Sequence, residues 1–192
     1  MELERLVFFS DAVIAIAITL LVVPLTVPEA SEDVGKALLD RWPQFLSFAL
    51  SFFVIGVFWM AHHRIFRFVA RFDRRLIWLN LLFLMCIAFL PYPTAVLGEH
   101  DRSRASIVFY ASAIGLTGTV LASLWQFVIR AGLLNERADA RVIEYMTMRS
   151  LVTPLAFLGS IPLAFINLRL AQVLWLAPFV VIPLINLRHR QS

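Results

Sequence analysis

Long apolar runs alternate with short polar connections along the chain, and six of the runs are long enough to cross a bilayer. A spanning helix needs about 20 apolar residues, because it rises about 1.5 Å per residue through a hydrocarbon core about 30 Å thick. The runs cover residues 6–27, 43–62, 76–97, 105–129, 150–168 and 170–187. This pattern predicts an all-α membrane protein with six transmembrane helices, forming a single domain over residues 1–192.

The last two runs are separated by only a few residues, and prolines interrupt both of them. Proline removes a backbone N–H and kinks a helix, but neighbouring helices in a membrane bundle can satisfy the carbonyl groups that it frees. Two full spans and a re-entrant hairpin over residues 150–187 are both compatible with this pattern. The basic tail after residue 187 favours two spans, because an even number of helices returns that tail to the side of the N-terminus.

The basic residues predict the side of the membrane that each connection faces. Twelve of the 17 lie before the first run, between the second and third, between the fourth and fifth, or after the sixth. Cytoplasmic connections of membrane proteins are enriched in arginine and lysine. Both termini are therefore expected in the cytoplasm.

Composition excludes a soluble domain of this size. Hydrophobic residues make up 60% of the 192 residues, and mean hydropathy is +0.82. The formal charge of +4 would favour nucleic acid in a soluble protein, but here the arginines lie between apolar runs, so no nucleic-acid partner is expected. The single cysteine, Cys86, cannot form an intramolecular disulfide or a Cys-x-x-Cys metal site. The lipid bilayer is the expected environment.

The first apolar run carries a carboxylate, Asp11, at a depth of about 8 Å. A buried carboxylate is costly unless it is paired. The second run ends on the same side of the membrane with Trp59, His62 and His63, so we expect Asp11 and Ser10 to form a hydrogen-bonded network with Trp59 and one histidine. The network has two interpretations: a purely structural interhelical clamp, or part of a gate.

The face of the first helix opposite Asp11 is apolar. At about 100° per residue, Ile16, Leu20 and Val23 lie near 140°, 180° and 120° from Asp11. They form one stripe along the helix. In an arbitrary membrane helix such a stripe faces lipid or the core of the bundle.

The same polar residues do not form an enzyme site. His62 and His63 are adjacent and point about 100° apart on a helix, unlike the i, i+4 pair that binds zinc. Ser10 beside Asp11 lacks the base and orienting group of a nucleophilic triad. We predict no catalytic residue, no metal site and no cofactor.

Three segments carry a resemblance to a known family. They are Arg5-x-x-x-Phe9-Ser10-Asp11 followed by AVIAIAITLLV, Phe58-Trp59-x-x-His62-His63-Arg64 at the end of the second run, and Leu90-Pro91-Tyr92-Pro93-Thr94 in the third. Together they resemble the transmembrane protein 175 family of potassium channels in its bacterial, single-repeat form. The fourth to sixth runs match that family only in hydropathy.

The resemblance implies a homotetramer in which the first helix of each six-helix subunit lines a central pore, with K⁺ as the permeant ion. The implied constriction consists of Ile16, Leu20 and Val23, with Thr19 as a polar layer beside them. The implied structural network consists of Arg5, Ser10, Asp11 and Trp59, with His62 or His63. Valine is smaller than the leucine or isoleucine that family members carry at such layers, which makes Val23 a departure.

These observations predict a potassium-permeable cation channel in the cytoplasmic membrane of a bacterium. Apolar rings pass an ion only by removing or deforming its water shell, and stripping K⁺ costs less than stripping Na⁺. Two alternatives are open: a proton- or cation-coupled carrier that uses Asp11 with His62 or His63, and a non-transporting membrane subunit.

Overall fold

The structure is a computed structural model that describes residues 3–29 and 33–191. These residues form nine helices. In chain order they are α1 (Leu3–Leu20), α2 (Val34–Asp40), α3 (Trp42–Phe66), α4 (Arg74–Phe89), α5 (Pro91–Glu99), α6 (Arg104–Arg130), α7 (Ala140–Ile166), α8 (Leu168–Leu174) and α9 (Ala177–Gln191).

Five helical segments of the described chain are long and apolar enough to cross a membrane. They are Trp42–Phe66, Arg74–Glu99, Arg104–Arg130, Ala140–Ile166 and Leu168–Ile185. The first of the six predicted spans differs from these, because α1 carries Glu4, Arg5 and Asp11 within 18 residues. Within the described residues, α1 is therefore not among the helices that meet the length and hydropathy expected of a span.

The first helix is shorter than the pattern predicts. The apolar run continues to residue 27, but α1 ends at Leu20, and the chain then turns with the amide of Val23 donating to the carbonyl of Leu20 at 3.2 Å. Pro24 explains the difference, because proline has no N–H and disfavours helical geometry in the residue before it. Val23 therefore lies in the turn beyond the helix rather than on its last turn.

The third predicted run is one apolar segment in the structure, whereas the fifth run begins earlier than predicted. At Leu90 the backbone stays helical, with φ −57° and ψ −31°, so α4 and α5 continue into one another as a single apolar segment. α7 begins at residue 140 rather than 150, because the side chain of Asp139 accepts a hydrogen bond from the amide of Val142 at 2.8 Å and caps the helix. The arginines of this connection had favoured a loop, but Arg141 and Arg149 lie on the first turns of α7.

The C-terminal part of the chain contains two apolar helical segments. α7 has 27 residues and continues through Pro154 and Pro162, which makes it about 40 Å long and able to cross a bilayer alone. Asn167 ends α7, and its side chain accepts a hydrogen bond from the amide of Arg169 at 2.9 Å to start α8. The second segment is broken at residues 175–176, between α8 and α9. These lengths support two spans rather than a re-entrant hairpin.

α6 lies at the centre of the bundle and packs most extensively on α7. A Cβ atom on Gly115 would lie 2.5 Å from Cδ2 of Leu158, and one on Gly118 would lie 2.9 Å from Cδ of Pro154. Small residues let membrane helices approach closely in this way. The two glycines thus fix the spacing of the central helix pair.

The two arginine-rich connections lie beside each other. The amide of Ala70 donates to the carbonyl of Leu133 at 2.8 Å, and the amide of Asn135 donates to the carbonyl of Phe68 at 2.8 Å. These bonds join the connection after α3 to the connection after α6. The structure therefore places both basic connections at the same end of the bundle.

Candidate functional site

α1 has one face packed against the other helices of the chain and one face that they leave uncovered. The buried positions recur every three or four residues, as expected for one side of a helix; they are Leu6, Ser10, Ile14, Ala17 and Leu21. They pack against α3, α4 and α5. The helix is therefore anchored along one side only.

The three residues of the predicted stripe and Thr19 are exposed on this uncovered side of α1 and of the turn that follows it. Ile16 is 59% exposed, Leu20 is 45% exposed and Val23 is 69% exposed. Thr19 is exposed between them, and its hydroxyl donates to the carbonyl of Ile16 at 2.8 Å. Because the hydroxyl proton is used within the helix, the oxygen lone pairs of Thr19 are left to accept from, or coordinate, a group outside the subunit.

A direct hydrogen bond joins Asp11 to α3. Nε1 of Trp59 donates to Oδ1 of Asp11 at 2.9 Å. The Trp59 ring lies beside the ring of His63, with centroids 6.1 Å apart. The carboxylate on α1 thus has a hydrogen-bond partner on α3.

A second chain of hydrogen bonds starts at the neighbouring residue, Ser10. Nδ2 of Asn80 donates to Oγ of Ser10 at 2.9 Å, and Ser10 in turn donates to the carbonyl of Leu6 at 2.9 Å. Oδ1 of Asn80 lies 2.8 Å from Nε2 of His62. Since a carboxamide oxygen only accepts, Nε2 is the protonated nitrogen of this histidine. Ser10, Asn80 and His62 are fully buried.

Aromatic rings hold His62 in this orientation. Its ring stacks on Phe83, with centroids 5.3 Å apart and planes 7° from parallel, and it also lies 4.5 Å from the ring of Phe66. Nδ1 of His62 is buried and has no hydrogen-bond partner among the described residues. The ring therefore reaches α1 through Asn80 alone.

The hydrogen-bonded network in the structure differs from the predicted one. The sequence places Ser10, Asp11, Trp59 and one histidine in a single cluster, whereas the structure has two separate connections, one to α3 directly and one through Asn80 on α4. Asn80 was missed, although it is a carboxamide inside an apolar run and such groups require partners in a membrane. Arg5 is exposed, and no hydrogen bond or ion pair joins it to the described part of the chain.

The two polar connections attach α1 to the helices beside it. Among residues 3–29 and 33–191, no cluster of three His, Cys, Asp or Glu side chains could hold a metal ion. The two polar connections attach adjacent residues of α1 to two different helices, so they fix the rotation of α1 about its axis. That rotation directs Ile16 and Leu20 away from the subunit.

Comparison with known proteins identifies relatives of this chain. Residues 5–91 match the sequence profile of the family described as "Endosomal/lysosomal potassium channel TMEM175". A protein of Streptomyces collinus named a potassium channel is 38% identical over 173 residues, covering 86% of this chain and 84% of the relative. A protein of Chamaesiphon minutus with the same name is 39% identical over 178 residues, covering 88% of each chain.

A solved structure is similar over nearly the whole chain. The crystal structure of a lysosomal potassium-selective channel TMEM175 homolog from Chamaesiphon minutus aligns with a TM-score of 0.81 and 33% identity, covering 98% of both chains. Both the uncovered stripe on α1 and the hydrogen bonds to α3 and α4 fall within residues 5–91, which match the family profile.

Proposed function

The chain belongs to the TMEM175 family, and from this membership we propose that it is a potassium-permeable channel whose first helix lines the pore. Two bacterial relatives above 30% identity, each matched over more than four fifths of its length, carry the name potassium channel. The observation that carries the proposal is the uncovered apolar stripe on a helix that hydrogen bonds attach to α3 and α4.

The proposed topology has six spans, with α1 as the first and both termini in the cytoplasm. The two arginine-rich connections lie together at one end of the bundle, and the positive-inside rule assigns that end to the cytoplasm. Asp11 lies eight residues after the start of α1 and bonds to Trp59, which lies seven residues before the end of α3. This contact brings the N-terminal end of α1 to the side of the basic connections. Because the relatives named potassium channels are bacterial, we assign the protein to the cytoplasmic membrane of a bacterial cell.

The proposed assembly is a homotetramer around the α1 helices. One α1 offers a single stripe and cannot enclose a path, whereas copies related by a rotation axis can bring their stripes together. Light scattering or native mass spectrometry in nanodiscs measures the number of subunits. A stable monomer or dimer that conducts ions would overturn this arrangement.

Conduction in such an assembly depends on the water shell of the ion. Rings formed by Ile16, Leu20 and Val23 offer no ligands, so an ion passes by shedding or deforming its hydration, which costs less for K⁺ than for Na⁺. Thr19 adds a ring of hydroxyl oxygens between the apolar rings. When the rings approach each other, the space between them loses its water and conduction stops.

The polar connections have a positioning role in this proposal. Asp11 bonds to α3, away from the stripe, so its charge does not line the path. Passage of an ion needs no bond to form or break, and the family is one of ion channels, which fits a protein without catalytic residues. K⁺ is the permeant ion and not a resident cofactor.

Bilayer recording of the purified protein tests the function. With K⁺ on one side and Na⁺ on the other, we expect single-channel currents. Their reversal potential should be shifted from zero toward the equilibrium potential of K⁺. A flux that saturates and shows no unitary current would indicate a carrier. Protein that assembles and passes no ion would indicate a non-transporting subunit.

A further inference from the structure

A groove on the outside of the bundle lies between α4, α6 and α7. It has a volume of about 590 Å³, and all of its lining residues belong to these three helices. One wall is apolar and consists of Leu79 on α4 with Leu151, Pro154, Leu155 and Leu158 on α7. The other wall is formed by α6. The groove is therefore separate from the stripe on α1 and from the residues that hydrogen-bond to α1.

Four polar side chains of α6 follow the groove in one row. They are Thr119, Ser123, Gln126 and Arg130, and their spacing of three or four residues places them on one face of the helix. Arg130 is the last residue of α6, so it lies at the end of the bundle with the basic connections. The row therefore extends from a charge at that end toward the middle of the membrane.

The two outer members of this row have no partner among the residues that the structure describes. The hydroxyl of Thr119 donates to the carbonyl of Gly115 at 2.8 Å, and that of Ser123 donates to the carbonyl of Thr119 at 2.8 Å. Gln126 and Arg130 form no such side-chain bond there. An amide at membrane depth requires an acceptor, and none of the groove's described lining residues carries a carboxylate. The acceptors for both donors must come from outside the described chain.

The depths of these two donors match the headgroup layer of one leaflet. Gln126 is four residues before Arg130, about 6 Å deeper along α6. The polar layer on each side of a bilayer is about 5 to 8 Å thick. Both donors therefore lie at the depth of the phosphate and ester oxygens of a phospholipid, which are acceptors.

The length of the groove matches the acyl chain below such a headgroup. A Cβ atom on Gly115 would lie 2.5 Å from Cδ2 of Leu158, so Leu158 is at the level of Gly115. Gly115 precedes Gln126 by eleven residues and lies about 16 Å deeper, which is about half of the 30 Å hydrocarbon core. The apolar wall therefore extends from the headgroup layer to the middle of the bilayer.

We propose that this groove binds a phospholipid with an anionic headgroup. The guanidinium of Arg130 binds the phosphate, the amide of Gln126 donates to an ester oxygen, and one acyl chain lies along Leu155. An anionic headgroup fits better than a zwitterionic one, because the wall has no carboxylate for an ammonium group and the basic connections lie at the same end. A free phosphate ion would leave the apolar wall uncovered. In the proposed topology this lipid belongs to the cytoplasmic leaflet.

Native mass spectrometry of the full chain in detergent tests the site. The protein is titrated with equal amounts of dioleoyl phosphatidylglycerol and dioleoyl phosphatidylcholine. We expect phosphatidylglycerol to be retained about fivefold more, the ratio that one arginine at an anionic lipid surface supplies. In a separate arm, millimolar inorganic phosphate is added to the protein with bound phosphatidylglycerol and should not displace the lipid.

Two variants test the proposed headgroup contacts. Arg130→Gln should lower phosphatidylglycerol retention about fivefold and abolish the preference over phosphatidylcholine. Gln126→Leu should lower retention of both lipids about threefold, because both carry the ester oxygens. Arg137→Gln is the control, since it removes an exposed charge from the connection after α6 without changing the groove. Its lipid retention should equal that of the parent.

A matched pair at one position tests the place of the acyl chain. Ser123 is exposed in the groove, and Ser123→Phe fills the space beside it while leaving Arg130 and Gln126 intact. This variant should lose phosphatidylglycerol. Ser123→Ala removes only a hydroxyl that is already bonded within α6, so it should retain the lipid as the parent does.

Five outcomes would overturn the proposal. Equal retention of the two lipids by the parent, unchanged phosphatidylglycerol retention in Arg130→Gln, or equal retention by Ser123→Phe and Ser123→Ala would exclude this lipid from the groove. Displacement by inorganic phosphate would identify a site for a free anion. An assembled protein that retains neither lipid would indicate that a neighbouring copy of the chain covers the groove. Each readout is lipid retention, so none depends on whether the protein conducts ions.

Discussion

Trp59 and Asp11 join α3 to α1 through a hydrogen bond of 2.9 Å between the indole N–H and a carboxylate oxygen. Next to it, Ser10 accepts from Asn80 at 2.9 Å. Two adjacent residues of one helix, bound to two different helices, leave that helix little freedom to rotate. The polar side of α1 thereby determines where its apolar side points.

Asp11→Ala should reduce assembly more than it changes selectivity. It removes the acceptor for Trp59, and interhelical hydrogen bonds in membrane proteins contribute about 1 kcal/mol each; a tetramer repeats the loss in every subunit. Size-exclusion chromatography should show less tetramer, and thermal unfolding should begin at a lower temperature. Asp11→Asn keeps an acceptor oxygen and is the matched control. A mutant that assembles fully and loses only cation selectivity would place Asp11 in the pore.

Asn80 and His62 should be energetically coupled. Asn80→Leu leaves the buried Nε2 of His62 without an acceptor and should cost about 1 to 3 kcal/mol of stability. Replacing both partners by apolar residues of similar shape costs less stability than the two single changes together. The double variant Asn80→Leu with His62→Phe should therefore lose at least about 0.5 kcal/mol less stability than the sum of the two single variants. A double-mutant cycle in thermal stability measures the coupling. Strict additivity would show that the 2.8 Å contact contributes nothing.

The helical period of α1 could be read from the sequence, because Ile16, Leu20 and Val23 recur on the side of the wheel away from Asp11. The same period places Ile14 in the core, where it is 1% exposed, and Ile16 on the uncovered face. The depths of Asp11 and Trp59 could also be matched, since Asp11 lies eight residues after the start of α1 and Trp59 lies seven residues before the end of α3. These inferences needed only local spacing and the rise of a helix.

What the sequence could not supply was pairing between distant helices. Asn80 stands alone in an apolar run, and nothing in its neighbourhood indicates that it bridges Ser10 and His62. Pro24 indicates that α1 ends before it, but the apolar residues that continue to Val27 favoured a longer helix. The start of α7 was hidden because Arg141 and Arg149 are typical of a cytoplasmic loop, whereas Asp139 caps a helix there.

The close contact between α6 and α7 predicts a large effect of one methyl group. Gly115→Ala would place Cβ 2.5 Å from Leu158, so the helices must separate or the side chain must move, at a cost of about 1 to 3 kcal/mol. Gly56→Ala is the control, because nothing lies within 4 Å of its Cβ position, and a helical alanine is favoured over glycine by about 1 kcal/mol. In detergent, the midpoint temperature of unfolding should be higher for Gly56→Ala than for the parent, and lower for Gly115→Ala. The reverse order would contradict the packing described for α6.

The apolar stripe itself is tested by placing amides on and off it. Ile16→Asn and Leu20→Asn each add a polar ring to the proposed constriction, where the amides can hydrate a passing ion and lower its desolvation cost. Conductance should rise. The preference for K⁺ should fall, because that preference comes from the lower cost of desolvating K⁺ than Na⁺. Reversal potentials under bi-ionic K⁺ and Na⁺ conditions measure both effects.

Ile14→Asn and Ile18→Asn are the matched controls for that measurement, since Ile14 is buried against the subunit and Ile18 is half-buried. An amide at Ile14 enters the packed core without a partner, which should cost about 1 to 3 kcal/mol of stability. The protein that does assemble should keep the selectivity of the parent, because neither side chain faces the proposed path. If all four variants shift the reversal potential equally, or if Ile16→Asn and Leu20→Asn leave it unchanged, the selectivity does not arise from desolvation along this face of α1.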